Sequence, residues 1–232
     1  MKLPISNRLL KCAELIPACD TVADVGTDHG YLGIWLLQKG RCKRVIASDL
    51  RAKPLDSARK NAALYAVDDR MTFLQSDGLL EFIPGSFQTL VLAGMGGDLI
   101  SRILEEASWL EGGAYRLILQ PQSAANDLRR FLGERLWSID REVLVRDGHF
   151  LYSVLSVRPE KGRPLTPGEQ YVSPALRREQ DPLFPDYLAR MIRALELTVS
   201  GITQSTDPAD RARAAYYRAA LEEVRGLERS IS

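Results

Sequence analysis

The sequence predicts an α/β fold: an open, doubly wound sheet of seven strands with helices on both faces, followed by a helical hairpin. Three observations carry this expectation. Strand-like and helix-like segments alternate from residue 1 to about 158, the pattern of a parallel sheet with crossover helices. The alternation closes with two consecutive strand-like runs around Asp147-Gly148, a strong signal for an antiparallel hairpin. After a proline-rich stretch, residues 186–231 carry apolar positions spaced by three and four, as in paired helices.

The elements follow in order. Ile5, Leu9, Ala13 and Ile16 have helical spacing. Residues 21–26 make a short strand ending in a turn, and residues 31–38 resume as a helix closed near Gly40. Residues 44–49 form a second strand and residues 54–66 a helix, with Pro54 tolerated in its first turn. Residues 71–75 and 87–93 read as strands, the latter continuously apolar as for burial on both faces. A helix over 98–110, a strand over 115–120 stopped by Pro121, and a helix over 124–136 complete the parallel series. The hairpin strands cover 138–145 and 149–157. That ending argues against a plain dinucleotide-binding sheet and for the seven-stranded methyltransferase variant. Residues 159–185 hold six prolines (159, 164, 167, 174, 182, 185) and read as a linker with one or two short elements. Two helices follow, 186–202 and 208–231, the second capped by Thr206 or Asp207. The expected domains are therefore residues 1–158 and residues 159–232.

Composition sets bounds. With 45% hydrophobic residues in 232, a buried core is affordable and a mainly disordered chain is excluded. Lys+Arg number 31 against 30 Asp+Glu, so net charge identifies no partner. Cys12, Cys19 and Cys42 are dispersed and form no C-x-x-C pair, which suits a reducing compartment and argues against a structural metal site. The apolar run at the N-terminus is broken by Arg8, Lys11 and Glu14, unlike a signal peptide. No window approaches the roughly 20 apolar residues of a membrane span. A cytoplasmic protein is expected, with no membrane association; a monomer is expected, as no feature calls for an obligate protein partner.

The chemistry concentrates in four strand-end segments. Asp24-Val-Gly26-Thr-Asp28-His29-Gly30 ends the first strand. A dinucleotide fingerprint requires glycine at three places so that pyrophosphate can rest on the helix N-terminus. Here two of the three fail, and an acid at 28 would repel phosphate. A cofactor without phosphate fits better. S-adenosylmethionine is one: carboxylates at Asp24 and Asp28 would stabilise its cationic methionine end. Asp49, followed by Leu50, can accept both ribose hydroxyls. Asp77-Gly78 can meet the adenine amino group, and Ala93-Gly94-Met95-Gly96-Gly97 follows the fourth strand. Taken singly, Asp49 and Asp77 are ordinary turn residues, and His29 is a hydrogen-bonded turn residue. All four segments fall on the carboxyl edge of the sheet, where ligands bind in open α/β folds.

D-V-G-T-D-H-G-Y at 24–31, S-D at 48–49, S-D-G-L at 76–79, A-G-M-G-G at 93–97 and L-I-L-Q-P-Q at 117–122 together resemble the bacterial tRNA (adenine-22-N1)-methyltransferases, the TrmK-like group. N-R-L at 7–9 fits as well. The resemblance spans nearly the whole chain. It implies a class I, Rossmann-like methyltransferase sheet with a C-terminal coiled-coil-like hairpin, S-adenosylmethionine as donor and tRNA as substrate. Methyl transfer to adenine N1 would place positive charge on the ring, and an acceptor near the exocyclic amine would stabilise it. No Asp/Asn-Pro-Pro-aromatic motif follows the fourth strand. The carbonyls of Ala93 or Gly94, or the Asp28 side chain, are the available acceptors, with Tyr31 as a stacking surface. Basic residues at Arg8, Lys11, Lys39, Arg41, Lys43, Arg44, Arg51, Lys53, Arg59 and Lys60, and again at Arg129, Arg130 and Arg135, offer phosphate contacts. The alternatives are a methyltransferase for another RNA, a protein or a small molecule, and an RNA- or protein-binding module with a vestigial cofactor pocket.

Overall fold

The structure, a computed structural model, describes residues 3–204 and 207–231. One seven-stranded sheet organises it: β1 (Cys19–Val25), β2 (Cys42–Asp49), β3 (Met71–Gln75), β4 (Thr89–Gly96), β5 (Arg116–Ser123), β6 (Trp137–Asp147) and β7 (Phe150–Lys161). The spatial order is β3-β2-β1-β4-β5-β7-β6. The first five strands are parallel, and β7 enters antiparallel between β5 and β6. The sheet therefore ends in the hairpin that Asp147-Gly148 foretells, with Gly148 at φ +60°.

The two faces are both apolar because adjacent residues of each central strand point opposite ways. Val22, Val91 and Ile118 pack under α1 (Asn7–Leu15), α2 (Tyr31–Gln38) and α3 (Ala52–Leu64). Their neighbours Ala23, Leu90, Leu92, Leu117 and Leu119 pack against α4 (Gly97–Glu106) and α5 (Ala125–Glu134). Ser6 caps α1 through a bond from Leu9 N.

The proline-rich stretch carries the short elements expected of it, and its first residues still belong to the sheet. β7 continues to Lys161, and two short helices follow, α6 (Pro167–Tyr171) and α7 (Pro174–Arg178). Thr166 and Glu169 form a capping box at α6, and Ser173 caps α7. Prolines 167 and 174 occupy first-turn positions, where the missing N–H is not needed. α8 (Phe184–Gln204) and α9 (Pro208–Ile231) complete the chain. Of the two residues expected to cap α9, Thr206 lies outside the described residues. Leu188, Ile192 and Leu195 of α8 meet Ala220, Leu221 and Val224 of α9 in a third core, which Leu144 and Leu151 of the β6–β7 hairpin join. Among the described residues, no helix is long and apolar enough to cross a membrane.

Arg129 departs from the sequence expectation of a phosphate contact. It is fully buried and forks onto Glu142, also fully buried. Its Nη1 donates to Gln170 O (2.9 Å) and its Nη2 to Tyr187 Oη (2.9 Å). Ser173 Oγ completes the carboxylate at 2.6 Å. The helical spacing that groups Arg129 with Arg130 cannot reveal this, since Glu142, Gln170, Ser173 and Tyr187 arrive from four other segments. Arg130 pairs with Asp127, and Arg135 with Glu105 and Glu111.

Candidate active site

Strand register brings the sequence motifs level. Val25 lies beside Ser48 and Leu92, Asp49 beside Gln75, and Ala93 beside Gln120. The carboxyl ends of β1 to β5 therefore share one edge, and the strand order reverses between β1 and β4, where open sheets form a ligand crevice. A cavity of about 390 Å³ opens there. It is lined by Asp24, Gly26, Asp28, His29, Gly30, Tyr31, Ala93 and Gly94, all anticipated from the sequence.

Asp24 is the charged group most removed from water in this cavity, with 6% of its surface exposed. Burial pushes its carboxyl up to about 6, against a weaker opposing hydrogen bond from Thr27. Among the described residues, no Lys, Arg or His forms an ion pair with it. Asp28 and His29 stand at the exposed lip, with Asp28 Oδ2 3.2 Å from His29 Nε2. The His29 and Tyr31 rings stack at 5.3 Å and 21°. Gly30 takes φ +72° at the start of α2, and Ala58 of α3 sits 3.1 Å from where its Cβ would be. Gly26 makes room for the protein rather than for a ligand: Met95 Cε lies 2.1 Å from an ideal Cβ there.

Other anticipated residues share the edge but not the cavity. Asp49 accepts from Arg51 N at 2.9 Å, its side chain 13% exposed. Leu50 is exposed, and its carbonyl accepts from Gln75 Nε2 (3.0 Å). Asp77 is exposed, whereas Gly78 is buried against Ile103. Met95 covers Gly26 as described.

The opposite wall, made by Pro4, Ser6, Arg8, Leu9 and Gln122, is not assigned to the site from the sequence: N-R-L and L-I-L-Q-P-Q enter only through the resemblance, and Arg8 as a phosphate contact. Arg8 Nη1 donates to Gln120 Oε1 (3.1 Å), and Arg8 Nε to Asp147 Oδ2 (3.4 Å). Gln120, wholly buried, also accepts from Gly94 N (3.1 Å) and donates to Pro121 O (2.9 Å). A bulge at Ala93/Met95 lifts Gly94 from the ladder at φ +81°, and Arg8 Nη1 lies 3.0 Å from its ideal Cβ. The peptide is trans, so with Gly94 N–H turned to Gln120 the Ala93 carbonyl points the other way. The signal was present as two glutamines in an otherwise apolar strand, L-I-L-Q-P-Q.

A buried, uncompensated carboxyl at the switch point suits a cationic ligand, and the sheet order with its antiparallel closing hairpin defines the class: a methyltransferase domain, whose family model matches residues 5–155. Within that class the chain belongs to the tRNA (adenine(22)-N(1))-methyltransferase family. The Bacillus subtilis member is 30% identical over 215 residues, 90% of this chain and 89% of the relative. The crystal structure of the B. subtilis M1A22 tRNA methyltransferase TrmK superposes with a TM-score of 0.84 at 26% identity, covering 97% of this chain and 99% of that one. Sp1610 of Streptococcus pneumoniae, in complex with S-adenosyl-L-methionine, superposes with a TM-score of 0.78 at 30% identity over 94% and 99% of the two chains.

Proposed function

We propose that this chain methylates N1 of the adenine at position 22 of tRNA, with S-adenosylmethionine as methyl donor. One observation carries the reading: the cavity at the sheet's switch point has an acid, Asp24, buried without a cationic partner among the described residues. The donor's ammonium and sulfonium are the charges such a group lacks. When bound, the donor supplies an electrophilic methyl group. Asp24 would hold its cationic end, with Asp28, His29 and Gly30 closing the lip and Gly26 and Met95 shaping the floor. Asp49 and Leu50 would take the ribose, and Asp77 and Gly78 the adenine end, further along the same edge.

The acceptor base brings its own lone pair at N1, so the chain's task is positioning and exclusion of water. Ala93 and Gly94 line the cavity beside Gln122. The Ala93 carbonyl would accept from the exocyclic amine as the ring gains charge. Arg8 and Gln120 hold that peptide in place through Gly94 N–H. Tyr31, backed by His29, offers a ring against which the base can stack. The family model's span supports residues 1–158 as the catalytic unit and 159–232 as an appended helical one. We place the protein in the cytoplasm, where tRNA is modified. The cavity walls run from Pro4 to Gln122 of one chain, which supports a single copy as the working unit.

The test is incubation of unmodified bacterial tRNA with labelled donor, followed by nucleoside mapping. Label in 1-methyladenosine at position 22 is the expected result. Label on another base or atom would refute the assigned specificity.

A further inference from the structure

A second cleft, of about 480 Å³, adjoins the cavity. Its walls come from residues 121–126, where β5 gives way to α5, from the start of β7 and from α8. Gln122 lines both spaces. Tyr152 joins them as well, since the Arg8 guanidinium of the first cavity lies 5.8 Å from its ring.

The lining is chemically one-sided. Among the described residues, two arginines line the cleft and no Asp or Glu does, in a chain whose charges nearly balance. Arg129 is consumed by Glu142, which leaves Arg190. One Arg190 nitrogen donates to Leu151 O (2.8 Å), and the guanidinium lies 5.3 Å from the Tyr187 ring. Phe150 is 65% exposed and belongs to none of the three apolar cores. Its ring and that of Tyr152, two residues on along β7 and so on the same strand face, lie 5.9 Å apart. An exposed aromatic ring with a half-buried one beside it, next to amides and an arginine and with no carboxylate among the described lining residues, forms a surface for a nucleobase and its phosphate.

We propose that this cleft is a nucleotide subsite, occupied by the nucleotide flanking the target adenine, with its base stacked on Phe150 and its phosphate met by Arg190. The proposal rests on the function assigned above and deepens it. Presenting N1 requires the target base to leave its stack, which uncovers one face of its neighbour. Phe150 covers that face, so part of the unstacking cost is offset on the protein.

The experiment uses the full chain and unmodified tRNA. Phe150→Ala should weaken tRNA binding and lower kcat/KM for tRNA by about tenfold, the scale of one lost base–aromatic stack. Donor affinity and Tm should not change. Phe150→Trp should keep activity, and the emission of the added indole should be quenched by tRNA without donor. Arg190→Gln should reduce the slope of log Kd against log salt by about one phosphate contact. Unchanged tRNA binding in Phe150→Ala, or an added-indole emission in Phe150→Trp that is blind to tRNA, would overturn the subsite while leaving methylation by the unaltered chain intact. A fall in Tm together with lost donor binding would also overturn it, by making Phe150 structural. Failure of the unaltered chain to methylate tRNA would instead count against the function, and the emission response would still decide the cleft.

Discussion

Asp24 on β1 and Glu142 on β6 are both buried carboxyl groups of one sheet, and they differ in what faces them. Glu142 meets a guanidinium and a hydroxyl, and that cluster ties α5, β6, α7 and α8 together. Asp24 meets Thr27 and an open cavity. A buried charge is costly unless paired. The paired one therefore belongs to the fold, whereas the other, without a cationic partner among the described residues, is left for the cation that the proposed function would bring. Burial alone does not separate a structural acid from a binding one; the partner does.

The largest effect should come from the paired site. Arg129→Ala leaves Glu142 buried without its counter-charge and should cost about 3–5 kcal/mol of stability, read by denaturant unfolding. Replacing both, Arg129→Met with Glu142→Leu, should recover part of that loss, and no recovery would show that the bonds to Gln170 and Tyr187 matter more than the charge. Asp24→Asn should behave in the opposite sense. Its folded-state pKa, about 6, lies above the unfolded value of 3.8, so the native state holds the extra proton and its stability falls as pH rises from about 3.8 to about 6. Removing the charge should then raise the Tm of the ligand-free protein at pH 7 and leave it unchanged below pH 4. Calorimetry should show donor affinity down by at least about tenfold, a loss of roughly 1.4 kcal/mol. A lower Tm at pH 7 would mean that Asp24 is paired after all.

Gly94→Ala comes next. A side chain at φ +81° costs about 1–2 kcal/mol, and the new methyl would press on Arg8. Turnover should fall about tenfold with donor KM nearly constant; a change confined to donor KM would remove the Ala93–Gly94 peptide from the chemistry. The smallest effect should follow Arg146→Ala, which removes an exposed pair with Asp186. Tm should stay within about 2 °C, and a larger shift would show that hairpin and α8 depend on surface charge as well as on Glu142.

The sheet was legible because its signals are local: alternating apolar strands, Gly40 after a helix, Asp147-Gly148 between strands. The first wall of the cavity was legible for the same reason, since Asp24 to Tyr31 form one turn. The second wall was not. Arg8 reaches Gln120 across 112 residues and Asp147 across 139, and the N-R-L motif that marks it does not say which way its side chain turns. Arg129 misled for the mirror-image reason, reading as a surface helix residue until Glu142 is placed beneath it. The bulge that frees Gly94 depends on how β4 meets β5, so the glycines announced flexibility without its direction.

The reach of Arg8 has a consequence for synthesis. In a chain made from its N-terminus, this side chain emerges well before Gln120 and meets its ion-pair partner Asp147 only once residue 147 exists. The strand that separates β5 from β6 comes later still. On the ribosome the floor of the crevice, between β1 and β4, can form early, while the nascent chain keeps its other wall open until the hairpin closes.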